Sequence, residues 1–309
     1  MNILIMGGSY FFGRWFLQYA HTGHKITVIN RGNIPVGLDG VTELKADRRI
    51  DSGLCKLNPG RFDAVIDFCA YEPGDISRIT GLLKEAPPER YIFISTVDVY
   101  KKGTGRLLDS QAPLADPAVL SGDEGSYIGG KISLEHELRS ECAKYGIKPV
   151  SVRPAILYGP ADYSPRVNLY FDWIEKAGQI IHPVDADGFF QMIYVKDAAR
   201  MLLALCELPL SGLDDAYNLC TDEIITYDIF ENALVRALDL SGTGITFSKV
   251  PVTVDTVLKQ DIPLPFPLTA QYSEKYKSSM AFCKDIPITP LEEGLLSCLR
   301  SRPITGNTP

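Results

Sequence analysis

Asn2-Ile-Leu-Ile-Met6, followed by Gly7-Gly-Ser-Tyr-Phe-Phe-Gly13, is the stretch that decides the fold. Its apolar run halts at two glycines. Phe12, Trp15, Phe16 and Tyr19 then recur at spacings of three and four, the period of a helix with one buried face. That helix ends near Gly23, and Lys25-Ile-Thr-Val-Ile-Asn30 reads as a β-branched strand closing at Arg31-Gly32. Strand, glycine turn, helix and strand in about thirty residues form a βαβ unit, which requires a parallel sheet.

The alternation continues outward. Val41 to Lys45 reads as a short strand ending at Ala46-Asp47, and Phe62 to Cys69 as a continuous apolar strand covered on both faces. A helix is expected over 76–84, a strand over Arg90 to Ser95, a Gly/Pro/Asp/Ser-rich loop over 101–125, a helix over Tyr127 to Tyr145 and a strand over Pro149 to Leu157. These predict an α/β fold, a doubly wound parallel (Rossmann) sheet over residues 1–160. Beyond 160, Pro-rich stretches separate shorter elements. Phe189 to Leu208 reads as a strand end and an apolar helix, so 189–220 is expected to return to the sheet. The remainder, 161–188 and 221–309, is assigned to a smaller C-terminal substrate lobe.

With 45% apolar and 22% charged residues the composition is that of a soluble globular chain. The 31 basic and 38 acidic residues leave a net charge of −7, so no nucleic-acid partner is expected, since phosphate binding needs a basic face. No apolar window reaches membrane-spanning length, and the opening MNILIMGG lacks a cationic leader. Seven scattered cysteines (55, 69, 142, 206, 220, 283, 298) and four histidines show no metal-ligand spacing. The chain therefore reads as cytoplasmic, reduced and without a metal.

The turn Gly7, Gly8, Ser9, Tyr10, Phe11, Phe12, Gly13 sits where a dinucleotide pyrophosphate meets the positive end of a helix. Gly7 permits the tight turn and Gly13 close helix–strand packing. Tyr10 replaces the usual middle glycine, so its side chain must point away from the phosphates or cover them. Asn30, where an acid would hold the ribose hydroxyls, removes repulsion against a 2′-phosphate, and Arg31 offers it a guanidinium. NADP is therefore favoured over NAD. Asp47 and Arg48 lie where an adenine ring would be gripped.

Tyr127-Ile-Gly-Gly-Lys131 puts a phenol and an ammonium four residues apart on one helix face. A positive neighbour lowers a tyrosine pKa toward the range a general acid/base needs. Upstream, Ile94-Ser-Thr-Val-Asp-Val-Tyr100 brings hydroxyls to the sheet's C-terminal edge, where Thr96 would bond a substrate oxygen; the alternative for Thr96 is a turn cap.

These motifs, with Arg153-Pro154, Tyr158-Gly159-Pro160 and Tyr194-Val195-Lys196-Asp197, resemble the extended or atypical short-chain dehydrogenases/reductases, the NAD-dependent epimerase/dehydratase group. The resemblance covers residues 1 to about 230, and the opening is most similar to a subgroup that includes chloroplast stem-loop RNA-binding proteins. It implies that Phe11 and Phe12 offer amides to the pyrophosphate, that Cys69 and Ala70 line the cofactor, that Thr96, Tyr127 and Lys131 form the catalytic triad and that Pro154 lies beside the nicotinamide. It also departs from relatives. Val97 removes the first acid of the dehydratase Asp-Glu pair, and Phe190, beside Gln191, stands where epimerases carry a diphosphate-binding arginine. Arg166 is the candidate substitute for substrate binding, while Tyr163, Tyr170 and Trp173 read as core aromatics. The expected function is an NAD(P)-dependent oxidoreductase or epimerase acting on an alcohol or ketone, sugar or sugar nucleotide included. The alternatives are a dinucleotide-binding regulatory protein without turnover and an RNA-associated family member. A small-molecule substrate is the expected partner; dimers are common among the relatives, and the sequence leaves the choice of a homodimer open.

Overall fold

In the computed structural model, which describes residues 1–50, 54, 57, 60–103 and 105–302, β1 (Asn2–Met6) lies between β2 (Lys25–Asn30) and β4 (Ala64–Asp67). With β3 (Val41–Lys45), β5 (Arg90–Ile94), β7 (Lys148–Pro154) and β11 (Ala216–Leu219) they form a seven-stranded sheet in the order β11-β7-β5-β4-β1-β2-β3. All its pairings are parallel. The strand order reverses beside β1, which opens a crevice at the C-terminal edge between β1 and β4.

Both faces are covered, which is why the strands read as unbroken apolar runs. Ile3 and Ile5 point to one core, shared with Phe16 and Leu17 of α1 (Phe11–Ala20) and Leu202 and Leu205 of α5 (Val195–Glu207). Leu4 and Met6 point to the other, with Ile76 and Ile79 of α2 (Asp75–Leu82) and Leu134 and Leu138 of α3 (Gly122–Tyr145). Helix α3 begins at Gly122, five residues before Tyr127. Asp123 and Glu124 in its first turn complement the helix dipole, a start signal inside the stretch expected to be loop.

One expected strand divides in two. Pro149 to Leu157 supplies β7 and then β8 (Ile156–Tyr158), which pairs with β10 (Met192–Tyr194) in a separate ladder. The ladders switch at one residue. The Ala155 amide donates to the Leu219 carbonyl at 3.0 Å, and the next amide, of Ile156, donates to the Gln191 carbonyl at 3.3 Å.

The C-terminal residues build a second core around α4 (Pro165–Ala177), α6 (Tyr227–Ser241) and α8 (Leu291–Ser301). β9 (Gln179–Pro183) and β12 (Ser248–Val252) form its parallel pair, and the short helix α7 (Val254–Lys259) follows. Phe190 stacks on Phe266 at 4.1 Å in this core, and Tyr170 meets Phe230 at 4.9 Å. Met280 and Cys283 pack back into the first core. A short ladder joins β13 (Lys275–Tyr276) to β6 (Leu107–Leu108), an element the composition of 101–125 concealed. Cys55 lies outside the described residues, and the other six cysteines are free. Among the described residues no helix is long and apolar enough to cross a membrane.

Candidate functional site

At the C-terminal edge of the sheet lies a cleft of about 990 Å³, at the upper end of the range for small-molecule sites. The glycine turn forms one end. Gly7 and Gly8 both adopt φ of +81°, and the Gly7 amide donates to the Ile29 carbonyl at 2.8 Å. A Cβ on Gly13 would lie 2.3 Å from the Gly8 Cα, so the helix sits directly on the turn. Phe11 is held at φ +32°, left-handed backbone that a bulky residue rarely adopts. Tyr10 caps α1 without a side-chain hydrogen bond, and its first turn holds no acid. The positive helix end therefore faces the cleft uncapped, a fit to a bound phosphate. Gly13→Ala is expected to cost about 1–3 kcal/mol by overpacking and to displace the turn. Thermal unfolding and NADPH titration check this, and an unchanged midpoint would refute it.

Tyr10 does both less and more than a blocked glycine. Its ring stays exposed and meets Tyr163 edge-on at 6.4 Å, while Tyr163 also meets Phe11 at 6.2 Å. Tyr163, read as core, is instead 75% exposed over the turn; Tyr170 is the core ring. Asn30 is occupied internally. Its amide nitrogen donates to Ser9 Oγ at 2.8 Å and Glu43 Oε1 at 2.7 Å, and its oxygen accepts the Gly32 amide. Arg31 lines the cleft and is exposed.

Arg48 lines the cleft but its guanidinium is committed elsewhere. It donates twice to Asp67, at 2.8 and 2.7 Å, and to the Asp75 carbonyl at 2.6 Å. Burial alone would raise the Asp67 carboxyl, yet Arg48 and the Tyr91 hydroxyl, donating at 2.6 Å, hold it below its usual range. Asp47 also lines the cleft, and its Oδ1 accepts the Arg49 amide at 2.9 Å. Cys69 faces the cleft with its thiol pushed up to about 12, mainly by burial, which disfavours the nucleophilic thiolate. Ala70 does not face it; its side chain is buried and its carbonyl accepts from Lys131, and Tyr71 takes the wall position.

Tyr127, Lys131, Thr96 and Pro154 all line the same cleft. The expected electrostatics between them differ. Lys131 Nζ donates to the Ala70 and Ile94 carbonyls at 3.2 and 3.0 Å, and lies 5.9 Å from the Tyr127 ring centre. Burial lowers its pKa to about 8, with Asp67 opposing. Loss of hydration pushes the Tyr127 phenol up to about 12, reinforced by Asp98. The Arg166 guanidinium opposes that rise. Thr96 is the cap of the turn Val97–Val99: its hydroxyl accepts the Asp98 amide at 3.2 Å and donates to Asp98 Oδ2 at 2.9 Å.

Arg166, in the first turn of α4, is exposed and lines the cleft. Asp98, Lys102, Gln191, Glu274 and Tyr276 complete that end. Of these, Glu274 and Tyr276 carried no local signal, since only the β13–β6 ladder brings them there. Away from the cleft, His182, Asp228 and Glu231 lie close enough to share an ion, but Lys249 already stands 2.6 Å from Glu231.

A parallel doubly wound sheet with an uncapped glycine turn at its switch point defines a dinucleotide-binding α/β protein. Residues 3–220 match the model of the NAD dependent epimerase/dehydratase family, and the chain belongs to that family. It is 29% identical over 254 residues to the chloroplast stem-loop binding protein of 41 kDa b of Arabidopsis thaliana, covering 76% of this chain and 63% of that protein's length. The fold is shared with the UDP-glucose 4-epimerase of Thermus thermophilus, solved with NAD (TM-score 0.72, 18% identity, 97% and 98% of the two chains). It is shared too with UDP-N-acetylglucosamine 4-epimerase of Methanobrevibacter ruminantium M1 (TM-score 0.71, 16% identity, 97% of each chain).

Proposed function

We propose that this chain is an NAD(P)-dependent oxidoreductase or epimerase that acts on the alcohol or ketone of a sugar-like small molecule, with Tyr127 as general acid/base. The observation that carries the reading is one cleft holding both the uncapped glycine turn and Tyr127, Lys131 and Thr96. The amides of the Gly7–Gly13 turn would hold the pyrophosphate, Lys131 the nicotinamide ribose, and Pro154 would flank the ring. The dinucleotide supplies hydride exchange at a substrate carbon. Tyr127, protonated at neutral pH, donates its phenolic proton to a carbonyl oxygen in reduction, and its phenolate takes the alcohol proton in oxidation. Alcohol oxidation needs the phenolate and rises with pH. Arg166 stabilises that phenolate, while Thr96 holds Asp98 in place beside it.

NADP is the favoured dinucleotide because Arg31 lines the cleft without an ion-pair partner among the described residues, whereas Glu43 is held on Asn30 and the Val36 amide. The relatives solved with NAD argue the other way. Arg31→Ala is expected to weaken NADPH binding roughly 10–100-fold, the value of a charge-assisted contact, and NADH binding little. Nicotinamide fluorescence titration measures both, and equal losses would end the NADP assignment. Binding of neither dinucleotide by the unmodified chain would defeat the enzyme reading itself.

The Arabidopsis relative's name favours a second reading, stem-loop RNA binding. The net charge of −7 weighs against it, because RNA affinity rests largely on basic contacts to phosphate.

A further inference from the structure

The charge at the substrate end of the cleft runs against the substrates its structural relatives hold. Asp98, Asp162 and Glu274 line it together with Lys102 and Arg166. Lys102 is already engaged, with Nζ 3.5 Å from Asp98 and 3.8 Å from Glu124. Among the described residues at this end Arg166 remains to meet an anion, while Lys102 offsets Asp98 and leaves Asp162 and Glu274 as the carboxylates outside any ion pair.

Glu274 is the informative group. It is 7% exposed, yet lines the cleft, and no cationic side chain pairs with it among the described residues. One oxygen accepts the Gly103 amide. A buried carboxylate is costly unless donors surround it, and an ionised one can only accept. Glu274 lines the cleft with acceptor capacity to spare, so a ligand entering there can offer it donors. Hydroxyls or an ammonium supply them; a diphosphate supplies only more negative charge.

The neighbouring wall is equally closed to phosphate. Gln191 spends both amide hydrogens, on the Thr221 and Tyr276 carbonyls at 2.6 and 2.9 Å, and its oxygen accepts the Tyr276 amide at 2.6 Å. Phe190 is buried against Phe266. Tyr272 and Tyr276 also line the cleft, Tyr276 buried and stacked on Tyr100 at 6.1 Å.

We infer that the substrate is a free polyol, a monosaccharide, amino sugar or cyclic polyol whose hydroxyl or ammonium groups donate to Glu274, and not a nucleoside diphosphate sugar. This rests on the proposed oxidoreductase or epimerase reading of the same cleft.

The test uses the whole chain, free and saturated with dinucleotide, in calorimetric titrations. UDP and UDP-glucose are compared with aldopentoses, aldohexoses, hexosamines and cyclic polyols, and nicotinamide absorbance follows turnover. At least one polyol is expected to bind and to change the nicotinamide, while neither uridine compound binds. Glu274→Gln keeps an acceptor for the Gly103 amide, so the fold stands. It should weaken the polyol about tenfold or more and leave dinucleotide affinity unchanged. Binding of UDP or UDP-glucose more tightly than the best polyol overturns the inference. So does binding of no member of the set, or full polyol affinity in the Gln variant. Failure of the dinucleotide to bind strikes the proposed function instead, and the UDP titration of the free chain still tests the charge argument.

Discussion

Tyr127→Phe is expected to lower turnover about 10²–10⁴-fold, the usual worth of a positioned acid or base, with dinucleotide affinity nearly unchanged. The phenylalanine keeps the ring that walls the cleft and removes only the hydroxyl. The residual rate should also lose its pH dependence in the oxidative direction. Partial loss of hydration and the Asp98 charge push the phenol up to about 12, so proton removal from the alcohol should quicken as pH rises and the phenolate fraction grows. Arg166 opposes the shift, so Arg166→Ala should move the limb to higher pH without erasing it. Steady-state rates against pH for the unmodified chain and both variants decide the matter. Unchanged turnover in Tyr127→Phe would remove the tyrosine from the chemistry.

The second large effect concerns the fold beneath the site. Arg153, on β7, is fully buried and donates to both oxygens of Glu135 on α3, at 2.9 and 2.6 Å. It also donates to the Tyr100 hydroxyl at 2.8 Å, and Tyr100 donates in turn to Asn218 Oδ1 at 2.5 Å. Glu135 lies one turn after Lys131, so this pair pins the helix that carries Tyr127 to the strand that ends in Pro154. Arg153→Met would leave Glu135 0% exposed with, among the described residues, only Arg139 near, at 3.7 Å. A stability loss of about 3–5 kcal/mol is expected, the cost of an orphaned buried charge. The double variant Arg153→Met/Glu135→Leu should recover much of it, since replacing both partners removes the uncompensated charge. Urea unfolding of the single and double variants measures the coupling. Simple addition of two losses would show that the charges are not energetically linked.

How much of this was legible from the chain depended on range. The opening βαβ unit, the sheet strands β1 to β5 along the chain and the place of the glycine turn follow from periodicity and glycine position, both local properties of the backbone. The family resemblance rested on those same short motifs, and the match over residues 3–220 agrees with it. Local pattern misled where two ladders meet. Pro149 to Leu157 looks like one strand because hydrophobicity does not record which partner each amide will find. The start of α3 was hidden because Gly122 and its neighbours have loop-like composition, and the helix is anchored by packing of its later turns.

Within the site, sequence spacing put Tyr127 and Lys131 on one helix face but could not say where the ammonium would point. That was decided by the Ala70 and Ile94 carbonyls, which come from the turn after β4 and from the end of β5. The same holds for Arg48, whose guanidinium is drawn from the cleft by Asp67, and for Thr96, whose hydroxyl is used by its own turn. Side-chain chemistry is written in the sequence; the partner that spends it is not.

The sequence by itself determined a parallel doubly wound sheet, a dinucleotide-type turn and a Tyr/Lys helix, because each is fixed by residues close along the chain. Only the tertiary structure decided the charge balance of the substrate end. Glu274 reaches it through the pairing of β13 with β6, across more than 160 residues of chain. A contact of that separation leaves no periodic trace, since its partners lie far apart along the chain.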